Sequence, residues 1–123
     1  MNMALWIAQG LLAAAFLASG YAKSTQTKEK MIATGQTGVA PFSLPVIRVV
    51  AALELAAAVG LILPWATGIA PVLTPLAAVG LAMVMVGAAI SHWSLREYKQ
   101  VFAINGVVLL GCLFVAVARF ADL

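Results

Sequence analysis

Five polar side chains sit where apolar helices would carry them inward: Lys23, Arg48, Glu54, His92 and Asn105. Two of them belong to the run RVVAALELAAAVGLILP, from Arg48 to Pro64. A carboxylate and a guanidinium among aliphatic residues can pair, exchange a proton, or hold the polar end of a ligand. An ionisable group at the centre of a membrane-spanning helix costs about 2.5–3.5 kcal/mol on insertion scales. Glu54 is about ten residues from either end of its expected helix, and its side chain is too short to reach headgroups. It must be protonated, paired, or set in a polar cavity. Arg48 precedes it by six residues, roughly 9 Å along a helix and roughly 600° around it, so the two do not share a face. Arg48 can equally extend to the headgroups.

Lys23 ends the first apolar segment, His92 ends the third on the same side, and Asn105 lies one turn into the fourth from that side. Every helix thus contributes a polar group to one half of the molecule, and a shared internal site follows. Glu54 and His92 are the candidate proton-transfer groups, and Lys23, Arg48 and Asn105 the candidate ligand-binding groups. Each has a plainer reading: Lys23 and Arg48 as interfacial anchors, His92 as a helix cap, Asn105 as an interhelical hydrogen bond. Gln9 lies in the opposite half, within about 40° of Lys23 in helical angle.

Other chemistries are excluded. GYAKS is not a phosphate loop. No metal site is expected, because the single His and single Cys lie on different helices at different depths. A Ser-His-Asp arrangement would lack its acid, since Asp122 is expected across the membrane from His92. Cys112, the only cysteine, permits neither an internal disulfide nor a CxxC pair and reads as a small buried apolar side chain.

The elements that must position these residues are transmembrane helices. The chain of 123 residues is 64% hydrophobic and 9% charged, with mean hydropathy +1.08. Ordinary soluble domains are about 25% charged, so these polar groups are too few to cover a water-facing sphere. The length allows one domain, residues 1–123. Four segments, about 3–22, 44–63, 69–92 and 101–118, approach the roughly 20 residues of a spanning helix. Strand-like alternation is absent, so the expected fold is all-α, a polytopic four-helix bundle in the cell membrane. The first segment lacks a basic leader region and is expected to be a retained helix.

The connection 23–43 is the long polar loop; its Ser24–Thr34 part is compatible with a short interfacial helix. Pro64 is expected to stop the second helix, with Gly68 supporting the reversal in PWATGIAP. Lys23, Lys28, Lys30, Arg48, Arg96 and Lys99 fall on one side and only Arg119 on the other. Positive charge marks the cytoplasmic face, so both termini are expected on the non-cytoplasmic side. A net charge of +3 without a basic stripe gives no nucleic-acid surface. Small residues at spacing four (Gly10, Ala14, Ala18 and Ala22; Ala52, Ala56 and Gly60), with Gly80 and Ala88 on one line of the third helix, predict close helix packing.

The chain resembles the DoxX-like membrane proteins over nearly its whole length. LASGYAK, RVVAALELAAAVGLILP, TGIAPVLTPLAAVGLAMVMVGAAISH and Asn105 carry the resemblance. It implies a four-helix membrane bundle with Lys23, Arg48, Glu54, His92 and Asn105 as its polar core. It does not imply one activity. Relatives are associated with thiosulfate:quinone oxidoreductase subunits, with quinone or thiol stress responses, and in animals with receptor-assembly chaperones. A lone cysteine argues against disulfide exchange.

Three functions compete. The first is binding of a quinone or similar lipophilic ligand for redox or acid–base chemistry, although the sequence requires no cofactor. The second is a non-catalytic subunit of a homo-oligomer or membrane complex. The third is a small proton-coupled exporter. The lipid bilayer is the one partner common to all three, and whether the chain is an enzyme stays open between them.

Overall fold

Apolar runs of spanning length must satisfy their backbone internally, and they do so as helices. The computed structural model describes residues 2–123. It contains α1 (Asn2–Thr25), α2 (Lys28–Ala33), α3 (Leu44–Thr67), α4 (Leu73–Ser94) and α5 (Tyr98–Ala121). All but α2 are long and apolar enough to cross a membrane. Among the described residues there is no strand, and the fold is an all-α four-helix membrane bundle. α1 packs mainly on α3, α3 also on α4, and α4 on α5; α1 and α5 close the ring with a smaller contact. The connections 26–43 and 95–97 lie at one end of the bundle, here the loop end. The chain termini and the α3–α4 turn lie at the terminal end.

The mid-bundle core comes from all four spans, with Leu12, Phe16, Ala58, Leu61, Ala78, Leu81, Cys112 and Val115 buried together. The small-residue ridges expected from spacing do not all face it. Gly10, Ala14 and Ala18 are exposed, as are Ala52, Ala56 and Gly80. Close approaches run through Gly60 of the expected ridge, where a Cβ would meet that of Ala77 at 3.0 Å, and through Gly20, where a Cβ would meet Leu55 Cγ at 2.8 Å and the Ala51 carbonyl at 3.1 Å. Spacing four identifies a ridge, but not which side of the helix has a partner.

Pro64 does not stop the second helix. α3 continues to Thr67 and ends at Gly68, whose φ of +73° gives the left-handed cap. Proline at this position cannot bond the carbonyl of Gly60 one turn back. Thr74 Oγ1 of α4 donates to that oxygen at 2.8 Å, so a neighbouring helix satisfies the orphan and α3 runs on. α4 accordingly starts at Leu73 rather than Ile69. α5 begins at Tyr98, one turn earlier than its apolar run, and Val101–Asn105 form a π turn within it.

The connection 26–43 is folded. Thr27 caps α2 by accepting from the Lys30 N–H at 3.2 Å. α2 ends in a Schellman motif: Gly35 is left-handed at φ +107°, and the N–H of Gln36 donates to the Met31 carbonyl at 2.9 Å. A 3-10 turn follows at Thr37–Val39. Met31 and Val39 bury against Ile47 of α3, which holds the connection down on the loop end.

Candidate functional site

The loop end holds a half-open cavity of about 410 Å³. Its wall includes Ser19 and Lys23 of α1, Gln36 and Gly38 of the connection, Ile47 and Val50 of α3, Met85 and His92 of α4, and Asn105 and Val108 of α5. The lining is apolar with a few polar groups, the usual composition of a small-molecule site.

Lys23 reaches inward. Its Nζ donates to Glu54 Oε1 at 2.6 Å; the carboxylate is fully buried and the lysine side chain 16% exposed. The pair stands across the α1–α3 contact, and it resolves how a glutamate survives at that depth. Glu54 Oε2 is buried without a protein donor. Arg48 is not on the cavity wall. Its guanidinium donates to the carbonyl of Lys23 and, at 3.0 Å, to that of Gln26. It thereby satisfies carbonyls at the C-terminal end of α1 and fixes the backbone from which Lys23 extends.

His92 has a partner that sequence reading missed. The C-terminus of α4 is a second Schellman motif, with Arg96 left-handed at φ +61°, Arg96 N–H on the Trp93 carbonyl at 3.0 Å and Glu97 N–H on the His92 carbonyl at 2.8 Å. This reversal turns Glu97 back onto the helix end, where Oε1 lies 2.8 Å from His92 Nδ1. Thr37 Oγ1 donates to the same carboxylate at 2.7 Å. The hydrogen bond from His92, then that from Thr37, hold the Glu97 carboxyl below its ordinary value of 4.5, against the opposing effect of burial. Ser91 Oγ donates to the Gly38 carbonyl at 2.5 Å. A Cβ on Gly38 would stand 2.8 Å from His92 Nε2, so glycine there admits the imidazole edge. With Nδ1 turned to a carboxylate, Nε2 is the ring nitrogen that faces Gly38.

Asn105 ends the π turn and is 4% exposed. Its Nδ2 donates to Met85 Sδ at 3.8 Å and its Oδ1 has no protein donor. Of the five sequence candidates, then, Lys23, His92 and Asn105 line the cavity, Glu54 stands behind Lys23, and Arg48 braces the helix end. Glu97, Thr37 and Gln36 were not expected. Glu97 and Gln36 each follow a left-handed residue after a helix, and Arg96 gives no glycine signal for it.

A second buried polar cluster occupies the terminal end. Arg119 is 1% exposed, donating from Nε to Gln9 Oε1 at 2.8 Å and from Nη1 to Asn2 Oδ1 at 3.0 Å. Its guanidinium carbon lies 5.5 Å from the Trp6 ring centre and 4.5 Å from that of Trp65. Gln9 in turn donates to the Leu61 carbonyl. In the sequence Arg119 served only as the one basic residue on the terminal side. Its depth follows from the two tryptophans and Gln9, residues of α1 and α3 that only the fold brings together.

Among the described residues no three His, Cys, Asp or Glu side chains converge as metal ligands would. The family model described as the DoxX-like family matches residues 7–116. No curated protein and no solved structure matches the chain.

Proposed function

The chain belongs to the DoxX-like family, and from that premise we propose that this multi-pass membrane protein binds a small lipophilic ligand of the quinone class in its loop-end cavity and exchanges a proton with it. The observation that carries this reading is the cavity itself: about 410 Å³ of largely apolar space with Lys23, His92 and Asn105 on its wall. His92 Nε2 is the proton-exchanging atom, its ring oriented by Glu97. Lys23 Nζ donates to a ligand oxygen with the N–H groups that Glu54 leaves free, since an ammonium has three. Glu54 acts through Lys23, and Arg48 positions the same lysine from behind. In the orientation given by the Lys/Arg asymmetry, the cavity lies toward the cytoplasmic side and both termini on the other. Impermeant labelling of single cysteines at Thr27 and Thr67 in intact cells tests that orientation. Labelling of Thr27→Cys from outside would overturn it.

The functional test is binding of a short-chain benzoquinone or its quinol to purified protein, with His92→Gln and Glu54→Gln beside the wild type. Both variants keep a hydrogen-bonding side chain and are expected to fold. Affinity is expected to fall about tenfold or more, equal to about 1.4 kcal/mol. Unchanged affinity in stable variants would sink this reading and favour a partner-subunit role. One observation already speaks for that second reading: Gly10, Ala14 and Ala18 form a flat exposed face on α1, where an added Cβ at Gly10 meets nothing within 4 Å. A second membrane helix could approach closely there.

A further inference from the structure

We propose that the loop-end cavity takes a lipophilic molecule bearing free hydroxyl groups, and that of a quinone–quinol couple it holds the quinol more tightly. The inference rests on the ligand reading above and names the polar chemistry of that ligand.

Just behind the surface of the cavity lie buried acceptors in excess. Asn105 Oδ1 and Gln36 Oε1 are both buried with no protein donor within reach, and both residues line the same space. The one hydrogen bond of the Asn105 amide goes to Met85 Sδ, a weak acceptor, at 3.8 Å. Native proteins rarely keep a buried oxygen without a donor, and each such case asks for a reason. Here the two come from unrelated elements, the π turn of α5 and the residue that follows left-handed Gly35. π turns recur at functional sites because the wider turn re-aims the side chain at its end.

A quinone's carbonyls only accept, so against these oxygens they would bring lone pairs to lone pairs. A hydroxyl donates to an amide oxygen and still accepts from Lys23 Nζ, whose bond to Glu54 uses one of its N–H groups. The rest of the wall, including Val50, Val84 and Val108, suits a ring or chain. The occupant that satisfies both halves is an apolar body with hydroxyl groups at its edge.

The test uses three compounds on one ring: a short-chain benzoquinol, the matching benzoquinone, and the quinol's dimethyl ether. Binding to the purified protein is measured anaerobically by calorimetry in detergent. The quinol is expected to bind about tenfold or more tighter than either of the others, the size of effect of a hydrogen bond to a buried acceptor. Asn105→Leu and Gln36→Leu are each expected to shrink that preference. Gln36 lies outside the spanning helices, so its variant stays informative should Asn105→Leu not fold. Equal affinity for quinol, quinone and ether would overturn the inference and leave the ligand reading standing. Tighter binding of the quinone would also overturn it, showing that the amides present N–H groups to the cavity. Failure of all three to bind would remove the ligand reading and this inference together.

Discussion

Each end of the bundle buries a basic side chain against polar partners, yet the two ends are built to different ends. At the terminal end Arg119 is packed between Trp6 and Trp65 and bonded to Gln9 and Asn2. Its surroundings are side chains filled against one another. At the loop end Lys23 meets Glu54 beside a cavity, and His92 meets Glu97 at the rim of the same space. Several acceptors there have no donor from the protein. On the ligand reading proposed above, a buried charge is by itself no mark of function in this molecule. At the terminal end one group, Arg119 Nη2, is buried without a partner, whereas the loop end has several such oxygens beside space that something else can fill.

Removing one partner of a buried pair is the harshest test of this difference. Lys23→Met leaves the fully buried Glu54 without its cation, and a loss of about 3–5 kcal/mol is expected in detergent unfolding. Adding Glu54→Gln should restore most of it, because the uncompensated charge is then gone. A double variant no more stable than the single one would break the account of the pair.

Arg119→Met comes next, with an expected loss of about 2–4 kcal/mol from hydrogen bonds to a charged group and from the tryptophan stack. Ligand affinity should not change with it. A matching fall in affinity in a protein that remains folded would erase the contrast between the ends.

Gly38→Ala sharpens the contrast on a smaller scale. The new methyl would meet His92 Nε2 at 2.8 Å, so the imidazole or the connection must move, at about 1–3 kcal/mol of stability and with weakened ligand binding. Gly10→Ala, with open space at that position inside α1, should hold the monomer's stability or raise it by up to about 1 kcal/mol. Equal effects of the two would mean that the rim of the cavity is no tighter than the outer face of α1.

The smallest effect concerns pH. Glu97 has a carboxyl held below 4.5 in the folded protein, so its contribution is present above that value and is lost as pH falls through the lowered one. Protection of residues 28–40, measured as exchange relative to the unstructured rate at the same pH, should therefore fall at acid pH, and Glu97→Gln should bring part of that loss to neutral pH. Exchange at the terminal end should follow neither change. Identical pH dependence at both ends would remove Glu97 as the fastener of the connection.

The sequence carried the four spans, the presence of a polar half and the isolation of Glu54, because hydrophobic length and intramembrane charge are costs that every residue registers locally. It also marked Gln9, whose partner lay a whole chain length away. Proline misled at position 64, since the missing hydrogen bond is replaced by a threonine from the next helix. Spacing misled for the Gly10 ridge, since periodicity names a face and not its neighbour. The pairing of Lys23 with Glu54, of His92 with Glu97 and Thr37, and of Arg119 with two tryptophans was decided only when the helices packed. Depth in the membrane is fixed by position along one helix, and the sequence states it. Which polar groups meet at that depth depends on helix rotation and on reversals at helix ends, and those are set by the packing of the whole bundle.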